Sequence, residues 1–137
     1  MISFGKSASK SSFDATFSWV ERQDVLVRVG FADDEYDVRK YLLLERERHP
    51  TIQDSKLGFG ELHIEIDDQS NSAYGQIRRC VLREDKALVW FEAETTLALK
   101  VSEVEICFAF QRLQLDEIER GLALLFEDNP TAFESEI

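Results

Sequence analysis

Leu62-His63-Ile64-Glu65-Ile66-Asp67 is the stretch on which the fold class turns. Leu62, Ile64 and Ile66 alternate with His63, Glu65 and Asp67, so an extended chain puts the apolar side chains on one side and the polar ones on the other. That period of two predicts a half-buried strand. The same period recurs on both sides of it. Phe13, Ala15, Phe17 and Trp19 alternate with Asp14, Thr16 and Ser18 and predict a single half-buried strand. Val25–Val29 predicts its hairpin partner, across the polar turn Glu21-Arg22-Gln23-Asp24. Tyr41–Leu44 predicts another strand, whose charged tail stops at His49-Pro50 because proline restricts the residue before it. Residues 50–60 read as irregular, punctuated by Gly58 and Gly60. Downstream, Asp68-Gln69-Ser70-Asn71-Ser72 reads as a turn-rich loop. Ile77–Leu82, Ala87–Phe91 and Val104–Phe110 read as strands, and residues 93–100 as one short helix.

Near the C-terminus the period changes. Leu115, Ile118, Leu122 and Leu125 recur at spacings of three and four, which predicts an amphipathic helix. Asp116 and Glu117 sit where the helix dipole favours negative charge, and Asp116 with Glu119 has the spacing of a capping box. Gly121 costs this helix about 1 kcal/mol relative to alanine; a close contact with the sheet would explain it. The sum is a single α+β domain over residues 13–128, an antiparallel curled sheet with a long C-terminal helix packed on it. Residues 1–12 read as a flexible leader and residues 129–137 as an acidic tail.

A chain of 137 residues with 44% apolar composition can bury a core without metal or disulfides. Its balance is acidic, 16 Lys and Arg against 27 Asp and Glu, for a net charge of −11. Such a surface repels phosphates and anionic membranes and favours cationic partners, and it also serves solubility alone. Neither nucleic acid nor membrane is therefore an expected partner. Cys80 and Cys107 lie in apolar stretches without CxxC spacing and read as reduced core thiols. The N-terminus lacks the apolar core of a signal peptide, and no stretch reaches the ~20 apolar residues that span a bilayer. The expected location is the cytoplasm.

Chemistry-bearing motifs are scarce. No GxSxG, P-loop, GxGxxG or HExxH pattern occurs. One cluster invites a metal: His63, Glu65, Asp67 and Asp68 offer the oxygen-rich set that suits Mg²⁺ or Mn²⁺. Asp67 and Asp68 are equally the residues with which a turn bonds its own backbone. Asp33-Asp34-Glu35 with Asp37 is a second acidic run. It lacks EF-hand spacing, so it reads as a solvated loop or as an electrostatic lure for a basic partner.

Two segments together resemble a known family. The first is Val29-Gly30-Phe31-Ala32-Asp33-Asp34-Glu35-Tyr36-Asp37, running into Tyr41-Leu42-Leu43-Leu44-Glu45-Arg46. The second is Leu62-His63-Ile64-Glu65-Ile66-Asp67-Asp68-Gln69, followed by Tyr74-Gly75-Gln76-Ile77. The chain resembles the tenth family of immunity proteins from bacterial polymorphic toxin systems over roughly residues 24–126, with Gln76 and Glu45 as its departures from the usual pattern. The resemblance implies a protein encoded beside a toxin that binds the toxic domain and blocks it. It brings no catalytic residues and no cofactor.

The expectation is therefore a binding protein without enzymatic activity whose partner is a cognate toxin domain, with a basic nuclease as the toxin class that the acidic charge suggests. Its interface is expected at Asp33, Asp34, Glu35, Asp37, Glu65, Asp67, Asp68, Gln69 and Tyr74. Tyrosine is a favoured anchor at desolvated interface centres. Two rivals remain. One is a small metal-dependent hydrolase on His63, Glu65, Asp67 and Asp68. The other is an assembly protein that self-associates through exposed strand edges.

Overall fold

The computed structural model describes residues 9–48, 62–108 and 114–137. In chain order its strands are β1 (Ser9–Ala15), β2 (Phe17–Arg22), β3 (Leu26–Ala32), β4 (Tyr41–Glu47), β5 (Leu62–Ile66), β6 (Asp68–Gly75), β7 (Ile77–Leu82), β8 (Lys86–Phe91), β9 (Val101–Phe108) and β10 (Phe133–Ser135). Helix α1 (Ala93–Leu99) links β8 to β9, and helix α2 (Leu115–Leu125) follows β9. The strands form two five-stranded sheets. One is an antiparallel meander, β2-β3-β4-β5-β6. The other is mixed, in the order β1-β9-β8-β7-β10, with β1 parallel to β9 and β10 parallel to β7.

This overturns the expectation of one curled antiparallel sheet carrying a long helix. The protein is mostly β, and α2 has 11 residues, three turns. The physical reason lies at Thr16. Phe13 and Ala15 are buried in the core from β1, whereas Phe17 and Trp19 belong to β2 of the other sheet. Thr16 makes the crossing, its N–H donating to Ala32 O at 3.0 Å and its hydroxyl to Asp33 O at 2.9 Å. Alternation therefore continued through a change of sheet. A period of two says which residues share a side, not which sheet they belong to.

Both sheets and α2 share one core. The inward face of the meander carries Val27, Val29 and Phe31 of β3, Leu42 and Leu44 of β4, and Leu62, Ile64 and Ile66 of β5. The mixed sheet covers part of that face, with Phe31 stacked on Phe108 of β9 at 5.9 Å between ring centroids. Helix α2 covers the rest through Ile118, Leu122 and Leu125. Burial of this kind contributes roughly 1.5–3 kcal/mol per large apolar side chain. Cys80 is buried, and that burial pushes its thiol up to about 12; Cys107 is half-buried on β9, and both are free thiols.

Four further expectations need correction. Asp68–Ser72 is not a loop but the first part of β6, where a bulge lets a polar edge strand start directly after Asp67. The residues expected in the leader include Ser9–Ser12, which pair with β9 as part of β1. Those expected in the acidic tail include β10, held beside β7 by ion pairs from Glu134 to Arg79 and Glu136 to Arg83. The Asp116–Glu119 capping box is not formed. Gln114 is the N-cap, without a side-chain bond, and Glu119 instead accepts a bond from Ser135. The irregular stretch read at residues 50–60 lies outside the described residues.

Arg46 holds the layers together. It occupies an inward position of β4 opposite Val27 and is buried. Its Nη1 donates to Leu124 O at 3.1 Å, at the C-terminal end of α2, and lies 3.3 Å from Glu127; its Nη2 bonds Asp128. A cation at a helix C-terminus also meets the negative end of the dipole.

Gly121 is where α2 touches the meander. A β-carbon there would lie 2.7 Å from Val29 Cγ2 and 2.8 Å from Val20 Cγ1, both on stiff β-branched side chains. Gly121→Ala should therefore destabilise the protein by about 1 kcal/mol or more, because overpacking outweighs the ~1 kcal/mol gain in helix propensity. Ala123→Gly on the exposed face of the same helix should cost about 1 kcal/mol from propensity alone. Urea unfolding of both variants measures the two losses; a stabilised Gly121→Ala would show that the helix does not sit this close.

Candidate functional site

The acidic runs singled out in the sequence meet at one end of the meander. The β3–β4 connection, residues 33–40, and the β5–β6 turn at Asp67 lie next to each other because β4 pairs with β5. Asp67 makes the junction. It adopts a left-handed backbone, φ 63°, as aspartate tolerates better than most residues. Its N–H donates to Tyr41 O at 3.1 Å, and its Oδ1 accepts the Tyr41 N–H at 2.9 Å. Lys40 Nζ stands 3.4 Å from Asp67 Oδ2. The carboxylate thus continues the β-ladder beyond the last paired residues.

The other aspartates shape the backbone in the same way. Asp34 Oδ2 accepts the N–H groups of Tyr36 at 2.9 Å and Asp37 at 2.8 Å. Asp33 Oδ1 accepts the Arg39 N–H at 3.0 Å, and the Asp33 N–H donates to Lys40 O at 3.0 Å. Asp68 Oδ1 accepts both the N–H and the hydroxyl of Ser70, each at 2.8 Å. Hydrogen bonds favour the charged form, so the backbone N–H groups of Asp37 and Tyr36 hold the Asp34 carboxyl below its ordinary value. The Ser70 backbone and hydroxyl do the same for Asp68.

From this end the outward face of the meander runs along the strands. One row crosses all five strands: Glu21, Arg28, Glu45, His63 and Tyr74. Arg28 reaches Glu45 at 2.9 Å and Glu21 at 3.2 Å, Glu45 lies 2.9 Å from His63 Nδ1, and the His63 ring lies 4.9 Å from that of Tyr74. Burial opposes the charge on Arg28, but the bonds to Glu45 and Glu21 outweigh it. The next row carries Trp19, Gly30, Leu43, Glu65 and Ser72, with Phe17 stacked on Trp19 at 5.8 Å. The Tyr41 hydroxyl donates to Glu65, and burial together with that bond holds the phenol above its ordinary value.

The structure thus brings Asp33, Asp34, Glu35 and Asp37 beside Asp67, Asp68 and Gln69, with Glu65 on the adjoining face. Tyr74 stands apart. It lies opposite His63, four residues along β5 from Asp67, or roughly 13 Å at ordinary strand rise. The metal cluster does not assemble. His63 turns to Glu45, Glu65 to Tyr41, Asp67 to Tyr41 and Lys40, and Asp68 to Ser70. Among the described residues no group of three His, Cys, Asp or Glu side chains is placed to hold a metal ion.

Sequence reasoning missed Tyr36, Val38, Trp19 and Tyr41. Tyr36 stands inside the quoted acidic run and Val38 directly after it, apolar side chains in a polar loop, which was the available signal; both are exposed. The Tyr41–Glu65 bond joins residues 24 apart, and nothing local announces it. The Tyr74-Gly75-Gln76 segment has a packing reason. A β-carbon on Gly75 would lie 2.3 Å from Thr95 Oγ1, the atom that accepts the Gln76 N–H at 2.9 Å. Helix α1 therefore docks on the end of β6.

A family model described as Immunity protein 10 matches residues 14–119, a span that includes every site residue named above. No curated protein matches the chain. Among the described residues no helix is long and apolar enough to cross a membrane.

Acid should act on the two turns with a fixed sign. A carboxyl whose folded pKa is lowered contributes stability that is complete above the ordinary aspartate range and is lost as pH falls through the lowered folded value. Carboxyl-carbon NMR should find the Asp34 and Asp68 midpoints below those of aspartates in unfolded peptides. The amide protons of Tyr36, Asp37 and Ser70 should shift with the same midpoints. Ordinary midpoints would mean that these bonds are not formed in solution.

Proposed function

The chain belongs to the Immunity protein 10 family, and from that membership we propose that it binds and neutralises a cognate toxin domain encoded beside it. The site is the acidic end of the meander: Asp33, Asp34, Glu35 and Asp37 on one side, Asp67, Asp68 and Gln69 on the other, with Glu65 and Tyr74 extending it over the outward face. The observation that carries this reading is the junction at Asp67, which unites two acidic segments separated by some thirty residues. Arg39 and Lys40 of the same connection partly offset them. The partner surface that suits this end is basic, as in the cleft of a nuclease that must hold phosphates. The chain acts by occupancy, without turnover of its own, in the cytoplasm where such a toxin acts.

Electrostatic complementarity mainly raises association rate and selects partners. A survival assay tests the reading. The toxin domain is expressed in a susceptible host alone, with this chain, and with a Glu35→Lys, Asp37→Lys variant. Survival should require the chain. The charge-reversed variant should associate about 10–100-fold more slowly at low salt, with the gap narrowing as salt screens it. Death with and without the chain would overturn the neutralisation reading. Equal association rates for the two proteins at all salt concentrations would remove the acidic end from it.

A further inference from the structure

Most of the carboxylates at the acidic end have their lone pairs engaged by the chain itself. Asp33, Asp34, Asp67 and Asp68 each accept backbone N–H groups. What this scaffold presents is a tip. Tyr36 is 89% exposed, the highest value among the large apolar side chains of the described residues, and Val38 beside it is 43% exposed. Other aromatic side chains of this region lie against neighbours: Trp19 on Phe17, Tyr41 on Glu65, Tyr74 on His63.

We propose that Tyr36, supported by Val38, is the anchor of the interface and enters an apolar socket rimmed by Lys or Arg on the toxin domain. The inference rests on the toxin-binding reading above and names the partner's chemistry. Three features argue for this occupant. The phenol combines a large apolar body with a polar end, the combination enriched where binding energy concentrates. Glu35 and Asp37 flank it, both exposed, so a socket that admits the ring brings its rim against two carboxylates and meets them best with cations. The Asp34 carboxylate bonds the N–H of Tyr36 itself, so the ring is offered on a backbone already ordered, and little freedom is lost on docking.

Calorimetric titration of the toxin domain encoded beside this chain tests the proposal with the full chain, Tyr36→Ala, Tyr36→Phe and, as a control at another exposed apolar position, Leu97→Ala. Tyr36→Ala should weaken binding by about 30-fold or more, which is about 2 kcal/mol, with unchanged thermal stability. Tyr36→Phe should stay within about threefold, as should Leu97→Ala. Wild-type binding with Tyr36→Ala within about threefold would overturn the anchor and leave the toxin-binding reading standing. No binding by the wild-type chain would overturn both. Sedimentation of the free chain adds a third outcome: self-association that disappears in Tyr36→Ala would assign the tip to a second copy and overturn the proposal.

Discussion

A guanidinium in the core constrains everything around it. Arg46 takes an inward position on β4 that its neighbours fill with Val27, Leu44 and Leu42, and a buried charge without partners would cost several kcal/mol. It is tolerated because α2 ends over it, presenting the Leu124 carbonyl, and because Glu127 and Asp128 follow at once. That requirement fixes where α2 stops and how it lies on the meander. It also sends the chain through the 3-10 turn Pro130–Ala132 into β10, beside β7. One side chain thereby links the meander, the helix and the mixed sheet.

With the inward face committed in this way, the opposite face and the loop ends are what the protein offers to others. The outward face is internally satisfied. Arg28, Glu45, His63 and Tyr74 lean on one another, and Glu65 takes the Tyr41 hydroxyl. At the Asp67 end the same economy holds, since the aspartates spend their oxygens on backbone. In the interface proposed above their charge acts at a distance, while contact falls to the side chains they display. Such an interface separates two roles that an acidic run merges when read as composition: long-range steering by the net charge, and short-range recognition assigned to Tyr36, Val38, Glu35 and Asp37.

Much of the local structure was legible. Leu62–Ile66 is a strand with the predicted sides buried and exposed, residues 93–99 are a helix, and Leu115 to Leu125 marks the limits of α2. The close approach expected at Gly121 is present. What failed was assembly. Phe13 to Trp19 kept one alternation through a change of sheet, and no local property records which neighbour a strand selects. The edge strand β6 was hidden because polar residues on both faces imitate a loop. The acidic segments could be picked out separately, but their meeting depends on the β4–β5 register and on Asp67 taking up the Tyr41 N–H. The metal alternative drew on spacing along one strand; in the structure His63 turns to Glu45, Glu65 and Asp67 to Tyr41, and Asp68 to Ser70.

The central claim is that the toxin domain is held at the acidic end of the meander. Hydrogen–deuterium exchange of the chain, free and in complex with that domain, tests it most directly. The account predicts slowed exchange across residues 33–41 and 66–72, with β7, β8 and β10 of the mixed sheet unchanged. Protection confined to the mixed sheet, with the acidic end exchanging as in the free chain, would contradict it.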